Sequence, residues 1–232
     1  IVAQRMMDNI IDLENEKIEL ILKKIALDPE DKEIKQLEQD LWTKIQNKLL
    51  LGRRTGLGQM GFADACAALN YIYGNEDSMR LSNNIGKAIA TASYTSSIIM
   101  AEERGSFPVF SPEAEMDNLF IQRIKTNLTP EFITKYNKYG RRNIANLTIA
   151  PTGSISMLAG VSSGIEPVFA LTYTRRRKVT EDNENKVYQD KQGDWWEEYK
   201  VNHPALQAWK IQNPDSVGSP YNRSTAYDVD SF

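Results

Sequence analysis

The feature that most constrains this chain is the spacing of apolar residues over positions 1–50. Met6, Met7, Ile10 and Ile11 fall on one side of a helix, and Ile18, Ile21, Leu22 and Ile25 continue the pattern. Asp28-Pro29 interrupts it, because proline lacks the amide proton a helix interior needs and turns the preceding residue away from helical backbone. Ile34, Leu37, Leu41, Ile45 and Leu49 then recur at three- and four-residue steps, which predicts a second helix. The other face of that stripe is Lys, Glu and Gln and reads as solvated.

Further along, Phe62–Tyr73 reads as a helix whose alanines allow close packing, stopped by Gly74-Asn75. Ser78–Glu103 reads as a long helix in which Ala and Ser suit tight contact with a neighbouring element. Met116–Lys125 and Pro130–Tyr139 read as two short helices, the second ended by Gly140. The apolar, β-branched run Ile144–Ala150 predicts a buried strand, and Val168–Thr174 a second one. Arg175–Asp194 reads as a polar β-ribbon or loop in which the Arg175–Lys178 run is a solvated or strand-edge cluster. Trp195–Gln212 reads as a helix broken at His203-Pro204, and Asn213–Phe232 as irregular coil. The pattern is α/β and helix-rich, with too few strands to close a sheet. Ile1 already lies inside an amphipathic pattern, so the chain reads as a piece of something longer.

Composition narrows the chemistry. The 232 residues carry 28 Lys and Arg against 31 Asp and Glu, a near balance that makes no electrostatic case for a nucleic-acid polymer or an anionic membrane. No stretch reads as a membrane-spanning helix and no leader opens the chain. Cys66 is the one thiol, which excludes an intrachain disulfide and a cysteine-based zinc cluster, and its Ala-rich setting suits a small buried hydrophobe. His203 is the one imidazole, and its place before Pro204 reads as a surface or capping histidine. No catalytic residue and no metal ligand is assigned in the chain.

Two glycine-rich loops compete for a phosphate. Gly56-Leu57-Gly58-Gln59-Met60-Gly61 fits the dinucleotide pattern G-x-G-x-x-G, with Glu76 at a suggestive spacing. That reading requires a strand to deliver the chain into the loop, whereas here a helical stripe precedes it, so the glycines read as a tight turn for close packing. The second loop is Pro151-Thr152-Gly153-Ser154-Ile155, entered from the predicted strand. Pro151 suits a first helical turn, Thr152 and Ser154 offer hydroxyls, and Gly153 lets a ligand approach the backbone. Amides at a helix start have no intrahelical acceptor and lie at its positive end, which makes an anion site. From local chemistry alone, an ordinary capped turn remains the alternative.

With its flanks this loop reads NIANLTIAPTGSISMLAGVSSGIEPVFALTY, from Asn143 to Tyr173. That string resembles the large, catalytic subunit of ribonucleotide reductases, most closely the adenosylcobalamin-dependent class. RRTGLGQMGFADA at Arg53–Ala65, AQRMMDNIIDL near the start, ERGSFPVF at Glu103–Phe110 and STAYDVD near the end follow in the family's order. Divergent stretches lie around Asn15–Lys48 and Lys178–Tyr199.

The resemblance implies a partial ten-stranded α/β barrel, with residues 1–232 forming part of one barrel domain. Within it, 1–140 would be helical, 141–175 would carry the strand-loop phosphate site, and 176–232 would be peripheral. It implies reduction of ribonucleotides to deoxyribonucleotides by a thiyl-radical mechanism, with adenosylcobalamin as radical source and Pro151, Thr152, Gly153, Ser154 and Ile155 holding the substrate's phosphates. Its expected partners are the ribonucleotide substrate, a thioredoxin-like dithiol reductant and the remainder of the reductase chain, with a homodimer compatible, in the cytoplasm. The family's radical and redox cysteines do not align with Cys66; the resemblance places the radical one upstream of Ile1, in an N-x-C-x-E arrangement. Two alternatives stay open: a class served by a separate metal-radical subunit, and a non-catalytic helical scaffold.

Overall fold

A computed structural model describes residues 1–229; the coil expected over 230–232, and with it the end of the STAYDVD string, lies outside the described residues. In chain order the elements are α1 (Val2–Leu27), α2 (Lys32–Gly52), α3 (Phe62–Ala68), α4 (Glu76–Arg104), α5 (Pro112–Met116), α6 (Leu119–Lys125), α7 (Pro130–Tyr139), α8 (Gly153–Ala159), β1 (Thr172–Val179), β2 (Lys186–Gln189), β3 (Trp195–Asn202) and α9 (Pro204–Gln212). The chain forms two compact units, Ile1–Gly58 with Asn84–Ala150, and Gln59–Asn83 with Pro151–Phe232.

In the first unit α1 and α2 pack against each other, joined by the expected break at Asp28-Pro29. Ile11, Ile18 and Ile25 bury one stripe of α1, at the seven-residue spacing that returns side chains to one face. The α2 stripe forms the helix its spacing predicts, but it points to solvent: Leu37 is 71% and Leu41 56% exposed. The face expected to be solvated contributes the contact instead, with Trp42 half-buried and Gln46 Nε2 donating to Asn15 Oδ1 at 3.0 Å. Periodicity reports that a helix has an apolar face; it does not report what covers it.

Tyr94 and Ile98 of α4 meet Ile121, Ile124, Leu128 and Tyr136 in the unit's apolar core. Two of the short helices start on side-chain caps: Ser111 Oγ accepts from the Ala114 amide, and Asn118 Oδ1 from those of Phe120 and Ile121. Beside this core runs a buried polar network. Asn143, fully buried, donates from Nδ2 to Asp8 Oδ1 at 2.8 Å, and its Oδ1 accepts from Gln4 Nε2 and Ser97 Oγ, each at 3.1 Å. Ser93, Ser96 and Ser97 are also fully buried, so the small residues of α4 give close approach and supply hydrogen bonds as well.

The strand expected at Ile144–Ala150 is not formed. The segment is irregular, bends at Ile144 and makes a single parallel bridge, Leu147 to Leu57. The Thr55 and Leu57 amides donate to the Ala145 and Asn146 carbonyls at 2.9 and 2.7 Å, and the Thr148 amide returns to the Leu57 carbonyl at 3.1 Å. A β-branched run favours extended backbone, but a strand also needs a neighbour of its own length. This pairing explains the first glycine loop. A Cβ on Gly58 would lie 2.1 Å from the Thr148 carbonyl oxygen, and one on Gly56 2.5 Å from Thr148 Cγ2. Helix α2 precedes that loop, so the strand that a dinucleotide site requires is not there.

The second unit holds a three-stranded antiparallel sheet in the order β1-β3-β2. Two expectations are corrected here. Strand β1 begins at Thr172 rather than Val168, which makes only an isolated parallel bridge to Thr225. Trp195–Asn202 is a strand, not a helix; only Pro204–Gln212 of the expected segment is helical. The reason is backbone pairing with distant segments: β3 is the central strand, bonded to β1 on one side and β2 on the other, and charge pairs add a little across the first ladder. Arg176 faces Glu198 and Arg177 faces Glu197, with ion pairs of 2.7 and 2.9 Å. Opposite charges directly across an antiparallel pair favour the sheet, a long-range term that local pattern does not carry. The Arg175–Lys178 run thus lies on an edge strand, as its composition suggested. Ala63, Ala67, Val168, Leu206 and Tyr221 form the unit's apolar core. Helix α3 stops at Ala68, short of the expected Tyr73.

Candidate functional site

The second glycine loop does become a loop followed by a helix. Pro151 leads in, Thr152 stands at the N-cap position, and α8 begins at Gly153. The Ser156 amide donates to the Thr152 carbonyl at 2.7 Å, closing the first turn. The amides of Gly153, Ser154 and Ile155 therefore occupy the three positions at which a helix offers no acceptor of its own. Pro151, Gly153, Ser154 and Ile155 are exposed and Thr152 is half-buried. Among the described residues, and apart from its chain neighbours and the backbone of its own helix, no heavy atom lies within 4 Å of where a Gly153 Cβ would stand, so the backbone there is open to approach.

Thr152 is the anchor. Its amide donates to Ser163 Oγ at 3.1 Å, its Oγ1 lies 3.3 Å from the same oxygen, and the Gly164 amide approaches Oγ1 at 3.4 Å. The Thr152 hydroxyl expected to face a ligand thus turns toward the Ser162–Gly164 turn, while Gly153, Ser154 and Ile155 are exposed.

That turn is held from the other side by residues the sequence left unassigned. The Gly61 amide donates to the Ser162 carbonyl at 2.9 Å and the Phe62 amide to that of Gly164 at 3.4 Å. Asp64, in the first turn of α3, takes the Ser162 amide on Oδ2 at 2.5 Å, and its Oδ1 lies 2.6 Å from His203 Nε2 and accepts from the Tyr221 hydroxyl. Burial by itself would raise the Asp64 carboxyl, but His203, Tyr221 and the Ser162 amide outweigh it and hold it at about 2. Asp64 lies within the string RRTGLGQMGFADA, and an acidic residue inside an otherwise apolar helix start was the available signal.

His203 does stand at the N-cap position of α9, as its place before Pro204 suggested, but its side chain is only 11% exposed and serves Asp64, not solvent. Its ring also meets Tyr221 edge-on at 5.4 Å. A cavity of about 620 Å³ opens beside the turn, lined by Ser163, Glu166, Phe169, Tyr173 and His203 among others. Ser162 Oγ, at the same place, is buried with no hydrogen-bond partner among the described residues. Cys66 is fully buried in α3, and burial pushes its thiol up.

Residues 2–222 match the family described as ribonucleotide reductase, barrel domain. A vitamin B12-dependent ribonucleoside-diphosphate reductase of Mycobacterium tuberculosis is 37% identical over 124 residues, covering 53% of this chain and 15% of that protein. One from Thermoplasma acidophilum is 30% identical over 172 residues, covering 66% of this chain and 20% of that protein. Among solved structures, the Actinobacillus ureae class Id ribonucleotide reductase alpha subunit is similar at a TM-score of 0.41 and 22% identity, over 60% of this chain and 23% of that one. The chain thus spans a fifth or less of the curated relatives just named. With nearly all of its residues matched, the chain belongs to the ribonucleotide reductase barrel-domain family.

Proposed function

We propose that this chain is part of a ribonucleotide reductase large chain and supplies the loop that holds the substrate's phosphates. The whole protein reduces ribonucleotides to deoxyribonucleotides in the cytoplasm by a thiyl-radical mechanism, and residues 1–232 form part of one catalytic barrel domain. The observation that carries the loop assignment is the opening of α8: three consecutive amides, Gly153–Ile155, at an exposed helix start with space above Gly153. Phosphate oxygens suit such amides because they accept several hydrogen bonds at once and carry the charge that a helix start favours.

The names of the two B12-dependent relatives support adenosylcobalamin as the radical source of the whole protein. Within this chain the one thiol does not fit that chemistry. Cys66 is fully buried and its thiol is pushed up, the opposite of the exposed, readily ionised cysteine that redox work uses. The proposed partners are the ribonucleotide substrate, a thioredoxin-like dithiol reductant, the remainder of the reductase chain and, in assembly, a second copy.

The test is made on the full-length protein. Conversion of a ribonucleoside diphosphate or triphosphate to its deoxy form is expected only with adenosylcobalamin and a dithiol. Activity that ignores cobalamin and requires a separate iron or manganese radical subunit moves the protein to the other aerobic class. Inorganic pyrophosphate is expected to protect the Gly153–Ile155 amides from hydrogen exchange. Unprotected amides, with Ser154→Ala leaving substrate affinity unchanged, remove the loop assignment.

A further inference from the structure

Within the string RRTGLGQMGFADA, Asp64 ties three separate segments together. On one carboxylate meet the Ser162 amide, the His203 ring at the start of α9, and the Tyr221 hydroxyl. We infer that Asp64 is the positioning residue of the phosphate loop: it fixes the Ser162–Gly164 turn, and the turn fixes Thr152, from which the loop's amides project. This rests on the reading of Pro151–Ile155 as a phosphate site.

Each link is a short polar contact. Asp64 Oδ2 holds the Ser162 amide at 2.5 Å; one residue on, Ser163 Oγ accepts the Thr152 amide at 3.1 Å; and the Gly164 amide approaches Thr152 Oγ1 at 3.4 Å. Asp64 makes no hydrogen bond to Pro151–Ile155 among the described residues, so it acts through the turn. The carboxylate is 12% exposed, and its bonds to uncharged donors are charge-assisted, hence stronger than neutral ones. Backbone bonds from Gly61 and Phe62 to the Ser162 and Gly164 carbonyls seat the turn on the start of α3. The turn therefore has one defined place, and Thr152 inherits it. An ionised aspartate accepts hydrogen bonds on both oxygens, whereas asparagine keeps one acceptor and places a donor at the other position, so that the Tyr221 hydroxyl and the His203 ring would have to turn from donating to accepting. The loop positions a phosphate through three amides at once, so a small displacement of Thr152 would misalign all of them. Ser162 Oγ, buried in the same turn with no hydrogen-bond partner among the described residues, is a further polar group at this place.

The experiment uses the full-length reductase carrying Asp64→Asn. Three quantities are measured: steady-state kinetics with a ribonucleoside diphosphate, binding of inorganic pyrophosphate, and binding of an uncharged ribonucleoside. The expected result is a rise of about tenfold in both KM and the pyrophosphate Kd, with kcat within about twofold and nucleoside affinity unchanged. An unchanged pyrophosphate Kd overturns the inference. So does a parallel loss of kcat and nucleoside affinity, which is the pattern of general structural damage. Tyr221→Phe guards against misfolding, since it removes one donor and keeps the ring; a rise of about threefold in the pyrophosphate Kd is expected, and no change in a folded protein counts against the inference. If pyrophosphate fails to protect Gly153–Ile155 in the unmodified protein, the phosphate reading fails and the inference falls with it. If protection is seen while Asp64→Asn has no effect, the inference alone is lost.

Discussion

Asp8 and Arg53 lie 45 positions apart and meet in an ion pair of 2.9 Å from which water is nearly excluded, the Asp8 side chain being fully buried and that of Arg53 5% exposed. Arg53 also donates to the Asp8 backbone carbonyl at 3.0 Å and to Asp12 at 2.8 Å, and Asn143 donates to Asp8 at 2.8 Å. Burial alone would raise the Asp8 carboxyl, but the hydrogen bonds and charges of Arg53, Asn143 and Arg142 hold it below the usual carboxylate range. This is the joint at which the start of α1 meets the ends of both motif strings. Asp8→Ala leaves the Arg53 guanidinium buried beside an empty place, and is expected to cost about 3–5 kcal/mol by denaturant unfolding. A loss under about 1 kcal/mol would mean that the pair is not desolvated in solution.

The two glycine loops are expected to respond in opposite ways to the same substitution. Gly58→Ala forces a methyl group to within 2.1 Å of the Thr148 carbonyl oxygen, a backbone atom that cannot swing away. A loss of about 1–3 kcal/mol or more is expected, read as a lowered denaturant midpoint. Gly153→Ala meets open space in a helical backbone, so stability is expected to hold or to rise by up to about 1 kcal/mol. Its effect should appear instead as weaker pyrophosphate binding.

Asp64 gives the protein a defined acid sensitivity. Its carboxyl is held at about 2, against an ordinary value of 3.8. The native state therefore binds this proton less readily than the unfolded chain does. The resulting stability, about 2 kcal/mol, is present above pH 3.8 and is lost as pH falls toward 2. Unfolding free energies measured across that window are expected to fall more steeply for the unmodified protein than for Asp64→Asn. Equal slopes would show that Asp64 is not held by His203, Tyr221 and Ser162 in solution.

The cross-strand pairs of the sheet are expected to matter far less than their short distances suggest. Arg176 is 63% exposed and its partner Glu198 31%. Solvent screening and the entropy of fixing two long side chains limit such a pair, so Arg176→Ala is expected to cost at most about 1 kcal/mol, and less in high salt. A double-mutant cycle with Glu198→Ala checks the coupling.

Much of this protein was legible in its residue order. The breaks at Asp28-Pro29 and Gly140, the helices α1, α2, α4 and α7, the burial of Cys66 and the loop-to-helix step at Gly153 all follow from local chemistry. Each depends on neighbours a few positions away: a missing amide proton, a glycine at positive φ, an apolar spacing of three and four. Pairing decided the rest. Trp195–Asn202 is a strand because it lies between β1 and β2 and pairs with both, and Ile144–Ala150 makes only one bridge because its partner is the short glycine segment at Leu57. The outward face of α2 and the convergence of Asp64, Ser162, His203 and Tyr221 depend on residues up to 157 positions apart. Local sequence sets which conformations a segment favours, but which buried donor meets which acceptor is settled only when the chain closes on itself, because an unpaired polar group in the interior costs more than a local preference returns.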